Sequence, residues 1–215
     1  MSLRRFILMA SVDPFRPETR ALLARMTTPP SQERAALIDR TIRALINAGL
    51  WAKADVIYFM AAHDAQAARL NWKGATYDAS VQSGSPVFAE DLGYRNGTLA
   101  TSYRGGGSTN WQLGDAAMSV WADDGADGAF LASATNAVVA PLGDGSSAGQ
   151  SVVAINQSAA MTITPSDPVP AGLLTGTRFD GGAEVYYNGA SLISLTGTET
   201  ALPTSDITLL NGSPY

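Results

Sequence analysis

Cysteine is absent from this chain, and histidine occurs once, at position 63. The first absence removes disulfides, thiolate nucleophiles and cysteine-ligated zinc together. The second leaves any Ser–His–acid triad dependent on His63 alone and leaves a multi-histidine metal site without a second imidazole. His63 falls beside Asp64 in a short stretch with helical character, where a solvated or packing role is the plainer expectation. Charge is scarce too, at 15% of residues against about 25% in ordinary soluble domains. No apolar run approaches the roughly 20 residues of a membrane span. Phe6–Ala10, behind Arg4 and Arg5, is shorter than a signal-peptide core and stops at Asp13-Pro14. The expectation is a soluble protein with no catalytic group, folding where it is made.

What is present is unevenly distributed. Residues 1–73 hold 11 of the 14 basic and 6 of the 19 acidic residues, a net of +5, whereas the other 3 basic and 13 acidic residues leave 74–215 at −10. Gly49 is the one glycine before position 74, and the other 20 follow. A basic helix-forming leader thus precedes an acidic stretch of short strands and glycine turns. The arginines of the leader are spaced among acids as a solvated helical face, which points to docking on a partner rather than to nucleic acid.

Hydrophobic periodicity sets the elements. Pro17–Met26 is expected as a short helix with Leu22, Leu23 and Met26 on one face. Pro29-Pro30-Ser31 restarts the chain, and Ile38, Ile42, Leu45 and Ile46 mark a second helix from about Ser31 to Ala48, closed by Gly49. Asp55–Met60 is β-branched and aromatic and predicts a buried strand joining the sheet. Asp64–Leu70 suits one or two helical turns. Beyond residue 74 the period becomes two, in Met118–Ala122, Val152–Ile155, Met161–Thr164, Ala183–Tyr187 and Ile207–Leu210. Asn-Gly and Asp-Gly pairs at 96, 124, 127, 144, 180, 188 and 211 supply turns. Val185–Leu192, around Asn188-Gly189, is the clearest hairpin. The reading is a mainly β protein, an antiparallel β-sandwich over residues 51–215 preceded by a helical docking segment over residues 1–50.

Candidate chemistry is sparse. Arg104 opens a Gly-Gly-Gly-Ser loop that lacks the lysine of a phosphate loop, and Asn110-Trp111 follows it. An indole beside amides can stack on a sugar ring while the amides bond its hydroxyls, so Arg104, Asn110 and Trp111 are the candidate ligand residues, although core packing is the plainer expectation for Trp111. Trp121, in mid-strand, is expected in the core. Asp123, Asp124 and Asp127 gather three carboxylates in one turn, the oxygen-rich setting calcium favours, although turn aspartates also simply bond their own backbone. Glycoside hydrolysis needs two carboxylates about 5–10 Å apart. Glu90, Glu184 and Glu199 have no carboxylate two residues away, so only folding could bring such a pair together.

Trp51–Asp55 and Ala61–Trp72, followed by Leu92–Gly97, Leu99–Tyr103 and Tyr187-Asn-Gly-Ala190, resemble in their order a family of tailed-phage virion proteins with a laminin-G-like, concanavalin A-like lectin domain. The resemblance covers roughly residues 17–215. It implies a jelly-roll sandwich on the surface of a phage or phage-like particle, as tail fibre or head spike, attaching to host-surface glycan. It also implies a virion partner held through the N-terminal helices, with no nucleic acid and no membrane insertion. A capsid decoration or fibre-base protein without ligand, and a polysaccharide depolymerase, are the alternatives. Such proteins usually continue past the strand at Ile207–Leu210, so the expectation is that the sheet closes differently or that another chain supplies an edge. Weak sugar sites gain from multivalency, and the apolar leader needs cover. Together these predict a homo-oligomer, most simply a trimer, assembled through residues 1–73.

Overall fold

The computed structural model describes residues 14–95, 97–105, 108, 110–122, 131–133, 137–140, 151–156, 161–163 and 172–212. Helix α1 (Pro17–Leu23) starts on a proline, whose missing N–H costs nothing in the first turn. Helix α2 (Gln32–Asn47) begins where the Ser31 hydroxyl accepts the Arg34 amide at 3.2 Å. It ends before Gly49, whose φ of 71° is the left-handed conformation that releases the chain into α3 (Leu50–Lys53). Leu22, Met26, Ile38 and Ile42 pack together, and Ala67, Leu70 and Trp72 complete that core from a 3-10 turn at Ala67–Arg69 and the residues after it. The helical unit therefore reaches Trp72, where the composition changes, and does not close at residue 50.

Residues 55–60 do not form the expected strand. The segment is extended but lies outside every ladder, because its two faces serve two different cores. Val56, Tyr58 and Met60 pack on the core of the sheets, and Ile57 packs on that of the helices. Its backbone bonds run to a neighbouring loop: Ile57 donates to Asn71 Oδ1 at 3.0 Å, and Ile57 O accepts from Trp72 at 2.9 Å. The alternation of large residues is β-like, but the partner is not a strand.

The rest is antiparallel β. Its described strands are β1 (Ser80–Ser83), β2 (Val87–Ala89), β3 (Gly93–Arg95), β4 (Gly97–Thr101), β5 (Asp115–Ala122), β6 (Leu131–Ser133), β7 (Ala137–Ala140), β8 (Ser151–Ile155), β9 (Met161–Ile163), β10 (Gly172–Phe179), β11 (Gly182–Tyr187), β12 (Ala190–Thr196) and β13 (Ile207–Gly212). One sheet has the order β1-β4-β13-β6-β7-β8-β9, a second β12-β11-β10-β5, and β2 pairs with β3. Leu99, Ile155, Ile207 and Leu209 from the first sheet meet Met118, Leu174 and Val185 from the second in one buried cluster. Each such side chain contributes roughly 1.5–3 kcal/mol on burial. The predicted hairpin is present as β11–β12, turning through Asn188 (φ 48°) and Gly189 (φ 82°), the pair of left-handed residues that a two-residue hairpin requires. Asn211-Gly212, expected as a turn, lies instead within β13 opposite Thr98 and Gly97. Two sheets over one core, with few helices, make this a mainly β protein.

One carboxylate clasps the helical unit. Asp39, buried in α2, accepts the Arg16 amide at 2.9 Å, the Thr19 hydroxyl at 2.7 Å and Arg43 Nε at 2.5 Å. Burial alone would raise its pKa, but these donors bring it from 3.8 down to about 2. A depressed carboxylate stabilises the fold above its unfolded pKa, and that contribution is lost as pH falls through the folded value. Between about pH 4 and 2 the clasp should therefore cost the protein about 2 kcal/mol. Urea unfolding at stepped pH should show a shallower acid limb for Asp39→Asn, which gives up that stabilisation at neutral pH.

Candidate functional site

The three predicted ligand residues do not converge. Trp111 is buried, 6% exposed, with its indole Nε1 donating to Asn156 Oδ1 at 2.7 Å and its ring edge-on to Tyr103. It is a core residue and not a stacking platform. A tight turn closed by the Gln112–Asp115 bridge tucks it inward, and Asn156 Nδ2 holds that turn through the carbonyls of Gln112 and Leu113, both at 2.7 Å. Arg104 pairs with Asp206 at 2.6 Å on the surface, beside a shallow cleft of about 270 Å³ lined by Tyr77, Ser102, Tyr103 and Ser108. Asn110 lies in another cleft, of about 350 Å³, at the seam between helices and sheets. Asp123, Asp124 and Asp127 lie outside the described residues, as do Arg4, Arg5 and Phe6–Ala10. His63 is a packing histidine: its Nε2 lies 2.8 Å from the Thr28 carbonyl and its side chain is 11% exposed.

The seam cleft is polar, yet its groups are engaged with one another. Asp55 accepts the Tyr103 hydroxyl at 2.8 Å with one oxygen and Asn110 Nδ2 at 2.9 Å with the other. Burial, with the Asp55 carboxylate adding to it, pushes the Tyr103 phenol up. Lys73 donates to the Trp51 carbonyl and lies 4.7 Å from the centre of the Trp51 ring, and burial lowers its pKa. Tyr58 bridges Tyr77 O and Thr101 Oγ1, and burial raises it to about 12. Arg25–Asp78 and Arg34–Asp91 ion pairs cross the same seam. The cleft is a cemented joint.

Among the described residues, the outer face of the four-stranded sheet is an open surface. Strand β10 alternates buried and exposed along its length, with Leu174 and Arg178 inward and Leu173 and Phe179 outward. Register then fixes the rows of that face: Trp121 beside Leu173; Ser119, Thr175, Tyr186 and Ser191; Ala117, Thr177, Glu184 and Ser194; Asp115, Phe179, Gly182 and Thr196. Trp121, expected in the core, is 64% exposed. The signal lay in parity: Met118 and Val120 face inward, so Trp121, three residues from Met118, must face outward. Trp111 takes the packing role, and of the two it is Trp121 that departs from its expected place.

The polar groups of this face are fixed in place. Glu184 accepts the Ser191 hydroxyl and the Tyr186 hydroxyl, each at 2.6 Å, and those bonds hold its pKa below the usual carboxylate range. Bonding to Glu184 raises Tyr186 in turn. Ser119 and Thr175 bond at 2.9 Å, and Thr177 donates to Glu184 O at 3.2 Å. Glu184 is thus ionised at neutral pH, the state of an acceptor and not of a general acid. The other carboxylate of the four rows, Asp115, is two strands and one row away, about 12 Å on the sheet lattice. What the face offers is an aromatic plate, a floor of hydroxyls and one anchored anion.

No family model, curated protein or solved structure matches the chain when it is compared with them. Among the described residues, no helix is long and apolar enough to cross a membrane.

Asn156, fully buried with φ 54°, joins the turn at 112–115 to β8 through three side-chain hydrogen bonds. Asn156→Ala leaves an indole N–H and two carbonyls underserved in the core and should destabilise the protein by about 2–4 kcal/mol. Chemical denaturation followed by tryptophan emission checks this, and a loss below 1 kcal/mol would show the bonds to be dispensable.

Proposed function

We propose that this chain is a surface protein of a phage or phage-like particle, and that the outer face of its four-stranded sheet attaches to host-surface glycan. The two sheets then form the concanavalin A-like jelly-roll sandwich that the order of its motifs implies. The observation that carries the reading is Trp121, 64% exposed beside rows of hydroxyls and an anchored carboxylate. A sugar presents C–H faces to an indole and hydroxyls to polar side chains, and this face provides for both. The purified protein should bind host cells or their polysaccharide. Trp121→Ala should lose tenfold or more of that affinity, the loss expected when an aromatic anchor is truncated, with an unchanged melting temperature. Equal binding by wild type and variant counts against the face, and release of reducing ends from the polysaccharide would favour depolymerisation over attachment.

The helical unit supplies the docking end. Leu37 and Leu50 are 49% and 53% exposed on α2 and α3, a surface suited to cover by another chain. Self-association there, most simply as a trimer, raises the avidity of a weak sugar site by about 10²–10⁴. Light scattering at micromolar concentration should give a trimer mass that falls to the monomer in Leu37→Glu/Leu50→Glu. A monomeric wild type overturns this arrangement.

A further inference from the structure

Resting on that attachment reading, we infer that the face selects neutral, extended glycan chains and turns away chains bearing carboxylate or sulfate. Two independent features of the rows lead there.

The first is charge. Glu184 stands in the middle of the face and Asp115 at its far row, and the rows hold no lysine or arginine. Residues 74–215 contain only three cations. Arg178 points to the opposite side of the sheet, 2% exposed and 3.3 Å from Glu199; Arg104 pairs with Asp206; Arg95 lies on the separate β2–β3 pair. An acidic sugar would find no counter-charge on the rows. Its acceptor-only oxygens would meet the acceptor-only oxygens of Glu184, whereas a neutral sugar brings hydroxyl donors to them. The ionised state of Glu184 is locked in by its own bonds to Ser191 and Tyr186, so the face cannot relieve the repulsion by taking up a proton near neutral pH.

The second is shape. The aromatic side chains Trp121 and Phe179, 64% and 44% exposed, stand at the two ends of the face, three rows apart. At about 3.4 Å per residue the rows cover about 20 Å along the strands, with a hydroxyl floor between the two rings. A monosaccharide reaches one ring only. An extended oligosaccharide reaches both and lays its hydroxyls on Ser119, Thr175 and Thr177.

The test is a titration of the full-length protein, at low and at high ionic strength. The probes are linear neutral hexose oligomers of two to six units and uronic-acid oligomers of the same lengths. Neutral chains should bind, with affinity climbing up to about four units, the length that spans the rows, and levelling beyond. Uronic-acid chains should bind at least tenfold more weakly at low salt. The gap should narrow when salt is raised and when Glu184→Gln or Asp115→Asn removes a charge. Equal or tighter binding of the uronic-acid chains overturns the selectivity while leaving attachment intact. A gap unmoved by both substitutions and by salt overturns its electrostatic origin. Absence of binding by any chain, or binding indifferent to Trp121→Ala, overturns the attachment reading and this inference with it.

Discussion

One buried amide holds the two halves of this molecule together. Asn71 is 1% exposed, and each of its polar groups has a partner. Its side-chain oxygen accepts the amides of Ile57 and Lys73, at 3.0 and 3.1 Å; its side-chain nitrogen donates to Thr76 O at 3.0 Å. Its own amide donates to Asp78 Oδ1 at 2.8 Å, and its carbonyl accepts Arg25 Nη1, also at 2.8 Å. A buried amide left unpaired is costly, so the position tolerates only a conformation that meets all these groups at once. That conformation dictates where the segment at 56–60 lies, and through it which of its faces serves the helices and which the sheets. The seam is rigid because its polar groups are satisfied by one another.

The same accounting explains what was legible in the sequence. Local signals were reliable where a single residue decides a local geometry: Ser31 and Gly49 bound α2, and Asn188-Gly189 turns β11 into β12. They failed where the partner was distant. Residues 55–60 carry β-like side chains, but their backbone is paired by Asn71 and Trp72, which no local pattern announces. Local pattern was silent on Trp111 for the same reason: whether it is presented or packed depends on Asn156, 45 positions away. Trp121 was decipherable. Once Met118 and Val120 are assigned to the core, period two places Trp121 outside, and the large apolar character of the residue is what misled.

Charge was legible as a division of the chain but not in its purpose. The basic leader and acidic remainder suggest two surfaces made for other molecules. In the fold, part of that complementarity is used internally: Arg25 meets Asp78 and Arg34 meets Asp91 across the seam. Exposed pairs of this kind contribute little to stability singly, yet they fix relative orientation; the rows of the outer face of the second sheet, for their part, carry no lysine or arginine.

That arrangement supports placing the proposed attachment surface on this sheet and not on the loop around Asn110 and Trp111. A loop tryptophan beside glycines would have to be ordered on binding, at a cost in conformational entropy that a weak sugar contact does not recover. Trp121 is held by the ladder with β10, its neighbour Leu173 is pinned by both bonds to Asn188, at 2.9 and 2.8 Å, and Glu184 is oriented by two hydroxyls before any ligand arrives. Groups on strands, supported by a second ring of hydrogen bonds, keep their geometry without further ordering. In the proposed attachment role, a face of few contacts would gain most from that preorganisation, and repetition on several copies of the chain would multiply the effect without asking any one site to be strong.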